Sequence, residues 1–229
     1  MSTVAILLCA GKGERLGAGM DKALVPLAGR PLFAWSLETL ASCVAIDGIV
    51  MVGPVKMLKD LVAASGISTT KIVAWSEGGK ERQHSVGRGL HVLPEGCTHV
   101  AIHDAARALV TVDVVTRVVA DAREHGAAIA AVPLADTLKR VSLGTIETTV
   151  PRQGLWCAQT PQAFRRDWIE AAHAATKAIA TDDAALVEAL GHPVRVTPGD
   201  PMNFKITTAE DLAFAEAWLG RKMEREGSA

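Results

Sequence analysis

The stretch Val4-Ala5-Ile6-Leu7-Leu8-Cys9-Ala10-Gly11-Lys12-Gly13 stands near the start of the chain and decides its fold class. An unbroken apolar run such as Val4 to Leu8 is typical of a strand buried on both faces, as in parallel sheets. Gly11 and Gly13 follow at once and predict a tight loop at the end of that strand. The stretch therefore predicts the first strand and loop of a parallel sheet.

Strand and helix patterns alternate along the rest of the chain, which predicts an α/β fold with a Rossmann-like, doubly wound and mostly parallel sheet. Pro31 suits the first turn of a helix, and Thr111 is a candidate cap for another. Thr207 and Glu210 have the spacing of a capping box before the last helix. The further predicted strands are 48–52, 71–74, 99–103, 127–132 and 193–196.

One segment breaks this alternation. Residues 137–150, TLKRVSLGTIETTV, are rich in β-branched residues around a turn signal from Ser142 to Thr145 and have no helical stripe. They predict a β-hairpin arm within residues 136–152. Because an isolated hairpin is marginal in water, the arm needs a surface to lie on. That surface is either a second subunit, which makes the arm a dimerisation element, or the chain's own sheet.

Composition limits the classes of protein that fit. With 229 residues, 49% hydrophobic and 21% charged, the chain is predicted to form a single domain, 1–229. A net charge of −1 gives no general attraction to nucleic acid or an anionic membrane, so any anion site must be local. The four scattered cysteines form no metal-binding or disulfide pattern. The first apolar run is too short for a membrane span, and a cytoplasmic location is expected.

The loop after the first strand also predicts a binding site. Its small residues let backbone N–H groups approach phosphate oxygens, and Lys12, Arg15 and Lys22 add three cations. The spacing is neither that of a P-loop nor that of a dinucleotide fingerprint, and the second strand ends in Gly53-Pro54 without an acid for a ribose. These features predict a triphosphate site; the alternative is a glycine turn with solvated basic residues.

Several motifs in order along the chain resemble one family. The loop motif Ala10-Gly11-x-Gly13-x-Arg15-Leu16-Gly17, followed by Lys22, is shared by many sugar-nucleotide pyrophosphorylases. The later motifs are Gly78-Gly79-x-x-Arg82-x-x-Ser85-Val86, His103-Asp104-Ala105-Ala106-Arg107, Asp136-Thr137-Leu138-Lys139, Arg152-x-x-Leu155-Trp156-x-x-Gln159-Thr160-Pro161-Gln162-x-Phe164, Thr181-Asp182-Asp183 and Asn203-Phe204-Lys205-Ile206-Thr207. Together they resemble the 2-C-methyl-D-erythritol 4-phosphate cytidylyltransferases of the non-mevalonate isoprenoid pathway.

The resemblance implies a magnesium-dependent, homodimeric transferase. It would move CMP from CTP to methylerythritol phosphate and release pyrophosphate, forming 4-diphosphocytidyl-2-C-methyl-D-erythritol. In such a reaction the acceptor phosphate attacks the α-phosphorus in line, and fixed cations and positioning supply most of the catalysis. A phosphate monoester is largely dianionic at neutral pH, so it leaves little for a general base to remove.

The resemblance also implies a role for each matching residue. The implied catalytic residues are Arg15, Lys22, Arg152 and Lys205. The implied CTP-binding residues are Ala10, Gly11, Lys12, Gly13, Gly79, Arg82 and Ser85. The implied acceptor-binding residues are Asp104, Ala105, Arg107, Thr137, Arg152 and Lys205, of which Thr137 and Arg152 would serve the neighbouring subunit. Asp104 is in addition a candidate ligand for Mg²⁺, which substrate phosphates could otherwise hold.

Alternatives stay open at this point. The chain could be a ribitol-5-phosphate cytidylyltransferase or a non-catalytic nucleotide-binding module. Arg82 and Ser85 could be an exposed helix start, Asp104 and Arg107 a structural ion pair, and Asp182-Asp183 only a helix cap. The chain departs from the family pattern at Asp21, Ala23, Lys80 and Ala108.

Overall fold

A computed structural model describes residues 2–11, 21–176 and 179–226 of the chain. The strands are β1 (Ser2–Leu8), β2 (Pro26–Leu27), β3 (Arg30–Pro31), β4 (Gly48–Val52), β5 (Ile72–Ser76), β6 (Cys97–Asp104), β7 (Ala127–Pro133), β8 (Leu138–Ser142), β9 (Thr145–Val150), β10 (Trp156–Arg165) and β11 (Arg195–Pro198). The helices are α1 (Leu32–Ser42), α2 (Val55–Ser65), α3 (Arg82–His91), α4 (Val112–His125), α5 (Arg166–Ala175), α6 (Asp183–Ala189) and α7 (Ala209–Glu226). A membrane-spanning helix, long and apolar enough to cross a bilayer, is absent from these described ranges.

Seven of these strands form one sheet in the order β11-β7-β10-β6-β1-β4-β5. Every pairing is parallel except those of β10, which runs antiparallel to both β6 and β7. The six strands predicted from apolar runs are confirmed, with ends that shift by up to two residues. The predicted α/β fold with a mostly parallel sheet is therefore confirmed.

Strand β10 was missed by the sequence patterns, although it lies inside the sheet. Polar residues and Pro161 interrupt its apolar pattern, and a proline argues against a central strand because it cannot donate to the ladder. The structure accommodates Pro161 at a shift of register between Ala158 and Gln162. The same irregular stretch carries polar side chains to the edge of the sheet at which β6 ends.

The two faces of the sheet are both covered, which explains the continuous apolar run of β1. Consecutive side chains of a strand point to opposite faces. Ala5 and Leu7 belong to a hydrophobic cluster with residues of α1, α2 and α4. Val4, Ile6 and Leu8 belong to a second cluster with residues of α3, α5 and α6. The run from Val4 to Leu8 is therefore apolar throughout, and the two polar residues of β1, Ser2 and Thr3, precede it.

Helix starts follow the sequence signals with two corrections of one residue. Pro31 is the N-cap of α1 and precedes its first turn, which begins at Leu32. Thr111 caps α4 as predicted, because its Oγ1 accepts a hydrogen bond from the backbone N of Val114 at 3.3 Å. The capping box of α7 is one residue later than predicted. Thr208 Oγ1 accepts from Asp211 N at 3.2 Å, and Asp211 Oδ2 accepts from Thr208 N at 2.9 Å.

The arm formed by β8 and β9 confirms the predicted hairpin. Its turn residues Leu143 and Gly144 have φ angles of 48° and 79°, as in the type I′ turn that suits two-residue hairpin loops. Every residue from Leu138 to Thr149 is exposed. The alternative in which the hairpin folds over the chain's own sheet is therefore wrong. Val141, Leu143 and Ile146 offer apolar surface that other described residues do not cover.

Candidate active site

The crevice at the carboxyl ends of β1 and β6 is the place where this sheet changes direction. From β1 the chain builds β4 and β5 on one side, and then crosses to β6 on the other. Ligands of doubly wound sheets bind at such a switch point, outside the carboxyl ends of the strands. Leu8 and Asp104 are register partners there, and Ala105 N donates to Leu8 O at 3.0 Å. The loop after β1 and the residues after β6 therefore border the same crevice.

Two glycines allow the loop after β5 to approach this crevice. A Cβ atom at Gly78 would lie 2.5 Å from the Cβ of Ala10, and one at Gly79 would lie 2.4 Å from the Cβ of His84. Without side chains, the loop can pack between the end of β1 and the start of α3. Gly79 N donates to Ser85 Oγ at 2.9 Å, and Ser85 is 2% exposed. Ser85 thus lies on a buried side of the first turn of α3, and the alternative of an exposed helix start is wrong for it.

The loop after β1 is closed at its base by Lys22. The backbone N of Lys22 donates to Gly11 O at 2.8 Å, where a short 3₁₀ turn, Lys22–Leu24, begins. This bond places Lys22 beside the end of β1, as expected for a residue of the phosphate site. Lys12, Gly13 and Arg15 lie outside the described residues, so their implied roles stay predictions.

A third hydrophobic cluster brings together the segments that carry Lys22 and Lys205. Val25 follows Lys22 in sequence, Ile206 follows Lys205, and both belong to this cluster. Ile206 N also donates to Ala106 O at 2.9 Å, which ties its segment to the turn after β6. Packing of these apolar neighbours therefore brings Lys22 and Lys205 to one edge of the sheet, although they stand 183 positions apart in the sequence.

Asp104 is the centre of an ion-pair network at this edge. Its Oδ2 accepts from Lys205 Nζ at 2.7 Å, and its Oδ1 accepts from Arg82 Nε at 2.9 Å. Arg82 Nη1 donates in turn to Asp183 Oδ2 at 2.7 Å. Burial alone would raise the pKa of Asp104, but the charges of Arg82 and Lys205 outweigh it and hold that pKa well below its ordinary value. Asp104 is therefore an anion at neutral pH, and Arg82 is not an exposed helix-start residue.

Arg107 lies beside this network and is held by carbonyl groups. Its Nη1 donates to Asn203 O at 2.8 Å and its Nη2 to Ala158 O at 3.2 Å. The side chains of Asp104 and Arg107, which are both described, form no ion pair with each other. The alternative of a structural ion pair is therefore wrong. Arg107 Nε and Arg82 Nη2 are buried and have no hydrogen-bond partner among the described atoms. Both guanidinium groups thus retain donor capacity.

A chain of hydrogen bonds fixes the backbone around Asp104. Its N donates to Thr160 Oγ1 at 3.1 Å, and Thr160 Oγ1 lies 3.0 Å from His103 Nδ1. His103 Nε2 lies 3.3 Å from Arg107 O. With the ring proton on Nε2, every group in this chain has a partner of the right kind, because the threonine hydroxyl donates to Nδ1. His103 thereby braces the turn from Asp104 to Arg107.

This buried histidine predicts acid sensitivity of the fold. Burial lowers the pKa of His103 to about 4, whereas an unfolded histidine has a pKa near 6.5. The unfolded chain therefore binds a proton first, and the free energy of unfolding should fall by about 3 kcal/mol in all as pH drops from about 6.5 to about 4. Urea unfolding at several pH values across this range measures how the free energy of unfolding depends on pH. Most of this dependence should be absent in His103→Gln.

Two other histidines serve as comparisons for that pH dependence. The pKa of His99 is also lowered, by burial first and then by the charge of Arg123, so His99→Gln should remove a further part. His84 is exposed, and His84→Gln is the control for replacing a histidine of α3 at the surface. The contribution of Asp104 is lost as pH falls from the ordinary aspartate pKa of 3.8 towards the lower pKa of the folded chain, which is below this window. A full pH dependence in His103→Gln would contradict the prediction.

Thr137 and Arg152 are the implied site residues that the structure does not bring to Asp104. Both are exposed at the base of the arm, where the Arg152 guanidinium donates to Ala135 O. Among the described contacts, neither side chain reaches Asp104 or Lys205. The other implied residues that the structure describes lie at the carboxyl ends of β1 and β6, or on segments tied to these ends by the contacts given above: Ala10, Gly11, Lys22, Gly79, Arg82, Ser85, Asp104, Ala105, Arg107 and Lys205.

Asp183 is the member of the network to which sequence reasoning gave no role. The pair Asp182-Asp183 was predicted as a possible helix cap, and Asp182 does cap α6 by accepting from Ala185 N at 3.0 Å. A helix cap needs only one acidic residue. The second acidic residue, Asp183, was therefore the sequence signal for a role other than capping. Thr160 and Asn203 are further buried polar residues here, and both stand in motifs quoted above for which no role of theirs was implied.

Comparisons with known proteins agree with this geometry. The family model "IspD: 2-C-methyl-D-erythritol 4-phosphate cytidylyltransferase" matches residues 3–221. The 2-C-methyl-D-erythritol 4-phosphate cytidylyltransferase of Synechococcus sp. (strain WH7803) is 43% identical over 221 residues, 95% of this chain and 99% of that one. Its counterpart in Geobacillus thermodenitrificans (strain NG80-2) is 42% identical over 227 residues, 97% and 99% of the two chains.

A solved structure supports the same relationship. The crystal structure of 4-diphosphocytidyl-2C-methyl-D-erythritol synthase from Anaerococcus prevotii DSM 20548 matches with a TM-score of 0.83, 28% identity and 96% of each chain covered. The family identified from the motifs is therefore confirmed. The chain belongs to the 2-C-methyl-D-erythritol 4-phosphate cytidylyltransferase family.

Proposed function

We propose that the crevice between β1 and β6 is where this chain transfers a cytidylyl group from CTP to 2-C-methyl-D-erythritol 4-phosphate. Family membership supports the reaction, which releases pyrophosphate and forms an isoprenoid precursor. One observation carries the assignment of the site: Arg82 and Lys205, remote in sequence, meet on Asp104 at the edge where Lys22 closes the first loop. The alternatives of a ribitol-5-phosphate enzyme and of a non-catalytic module are not favoured.

The proposed mechanism divides the cations between two phosphates. Lys22 and Arg15 stabilise the charge that grows on the oxygens of the α-phosphate, while Lys205 and Arg152 align the attacking phosphate of the acceptor. Gly79, Ser85 and Arg82 hold the cytidine, and Ala10, Gly11, Lys12 and Gly13 cradle the triphosphate. Asp104, Ala105, Arg107 and Thr137 bind the acceptor. Because the acceptor oxygen is already anionic, proximity and charge are sufficient and a general base has no task.

Lys205 can pass from Asp104 to a substrate phosphate. Its side chain is 41% exposed, and an ammonium group on a flexible stem can exchange one anion for another. An arriving phosphate dianion carries more charge than the carboxylate and competes for the same cation. In the absence of substrate, Asp104 thus keeps Lys205 at the site and neutralises it.

Magnesium is part of the proposal, with Asp104 as the residue suited to it. Mg²⁺ prefers oxygen ligands and is commonly held by one or two carboxylates together with substrate phosphates. The described residues contain no cluster of three or more His, Cys, Asp or Glu side chains that could hold a metal ion. Both oxygens of Asp104 already bind cations. Substrate phosphates would therefore supply most of the ligands, and bound Mg²⁺ would add positive charge at those phosphates.

A homodimer that exchanges its arm is the proposed assembly. The arm exposes Val141, Leu143 and Ile146 and covers no part of its own sheet. Thr137 and Arg152 stand at its base and do not reach Asp104 within the described chain. An arm laid on a second subunit would bury the apolar residues and complete that subunit's site. The cytoplasmic location stays a prediction.

Release of pyrophosphate tests the proposed reaction. The chain is incubated with CTP and either methylerythritol phosphate or ribitol 5-phosphate, with Mg²⁺ or with EDTA. We expect release with methylerythritol phosphate and Mg²⁺, and no release in EDTA. The rate should be at least about tenfold lower with ribitol 5-phosphate, because its chain is one carbon longer and lacks the methyl branch. Comparable rates with the two acceptors would refute the acceptor, and full activity in EDTA would refute the metal.

A further inference from the structure

Asp183 is a buried carboxylate in this network to which the proposed mechanism gives no task. It is 1% exposed, and its Oδ2 accepts from Arg82 Nη1 at 2.7 Å. The nearest other group that can carry positive charge is His173, whose Nε2 lies 3.4 Å from Oδ1. A buried ion pair is weak evidence for stability, because desolvation costs as much as the attraction returns. The pair between Asp183 and Arg82 therefore calls for a functional explanation.

The two carboxylates that bind Arg82 differ in what else they can contact. Asp104 borders the crevice and also binds Lys205, and in the proposed mechanism it exchanges partners when the acceptor or a metal arrives. Asp183 is enclosed and cannot reach a ligand in the crevice. Among the described residues, Asp104 and Asp183 are the two that form ion pairs with Arg82. When Asp104 changes partners, the bond to Asp183 still holds the Arg82 guanidinium.

The surroundings of Asp183 are rigid enough for such a restraint. Gln162 Nε2 donates to Asp182 Oδ2 at 2.9 Å, and Gln162 Oε1 accepts from Ala184 N at 3.2 Å. The start of α6 is thereby fastened to β10 inside the sheet. Asp183 stands between these two anchored neighbours. Its carboxylate thus has a fixed position relative to the strand ends that form the crevice.

We infer that Asp183 is a positioning residue that holds Arg82 at the CTP site while Asp104 exchanges its cations for substrate. This inference rests on the proposed contact between Arg82 and CTP. It assigns Asp183 an action through Arg82 rather than a contact with substrate. Loss of Asp183 should therefore weaken CTP binding and leave the chemical step nearly unchanged.

Steady-state kinetics of Asp183→Ala test the inference. We expect KM for CTP to rise about tenfold, the loss of one charge-assisted hydrogen bond, with kcat within about threefold of the parent chain. Glu188→Ala is the matched control: it removes an exposed carboxylate from the same helix, at a position that binds neither Arg82 nor Gln162, and it should leave KM unchanged. If Asp183→Ala does not yield folded protein, Asp183→Asn takes its place. It keeps the side-chain volume and should also raise KM for CTP.

A double-mutant cycle separates this inference from the proposed function. Arg82→Gln should raise KM for CTP, and Arg82→Gln with Asp183→Ala should raise it no further, because the two residues act as one unit. Removing both charges also avoids an unpaired carboxylate in the interior. An unchanged KM in Arg82→Gln would overturn the proposed CTP contact and this inference with it. A raised KM in Arg82→Gln beside an unchanged KM in Asp183→Ala and Asp183→Asn would overturn the inference alone.

Discussion

Lys205→Ala should lower kcat by between about 10²- and 10³-fold, the range found when one preorganised donor to a transition-state charge is removed. Lys205 Nζ lies 2.7 Å from Asp104 Oδ2 at the mouth of the crevice. We propose that Lys205 aligns the acceptor phosphate there. The variant removes a cation that acts on the reacting phosphates, so kcat should change more than KM for CTP. Pyrophosphate release at saturating CTP and acceptor measures the loss.

The fold should survive this substitution, which makes the loss interpretable. Asp104 keeps its ion pair with Arg82 when Lys205 is replaced, so no uncompensated carboxylate remains. Lys56 is an exposed lysine of α2, and Lys56→Ala is the control for removal of one positive charge. An unchanged rate in Lys205→Ala would refute the catalytic role. A loss of equal size in Lys56→Ala would show that net charge alone controls the rate.

The fold could largely be predicted from the sequence because local patterns determine most of it. A strand buried on both faces gives a continuous apolar run, and the runs of β1 and β4 stand out from their surroundings. The hairpin arm was visible for the same reason, in its β-branched residues and its turn. Strand β10 escaped because its structure depends on its neighbours: β6 and β7 on either side hold a segment whose own pattern is polar and contains Pro161.

The site was predictable only in part, since its contacts join distant positions. The motif residues Arg82, Asp104 and Lys205 were all identified, but only the structure shows that both cations bind the same carboxylate. The bond between Arg82 and Asp183 spans 101 positions, and no local pattern carries it. Ala23 and Ala108, two departures from the family pattern, are buried in hydrophobic clusters, a packing role that the sequence did not reveal.

Two inactive variants should regain activity when they share a dimer. Lys205→Ala has a defective crevice and an intact arm, whereas Arg152→Ala has an intact crevice and a defective arm. If each arm serves the neighbouring subunit, a heterodimer contains one site with both defects and one site with neither. Co-expression with two different affinity tags and tandem purification isolates this heterodimer. We expect about half the pyrophosphate release of the parent dimer, against roughly 1% or less for either variant alone.

The result distinguishes an exchanged arm from one that acts within its own subunit. With an arm acting in its own subunit, each site of the heterodimer carries one defect, so activity would stay at the level of the single variants. Recovery of no heterodimer from the second tag would refute the proposed dimer itself. A heterodimer of Lys205→Ala with a chain that carries both substitutions is the control, since both of its crevices then lack Lys205. Activity restored by an intact crevice and an intact arm from different chains would give a role to the exposed Arg152, at the base of a hairpin whose residues from Leu138 to Thr149 are all exposed.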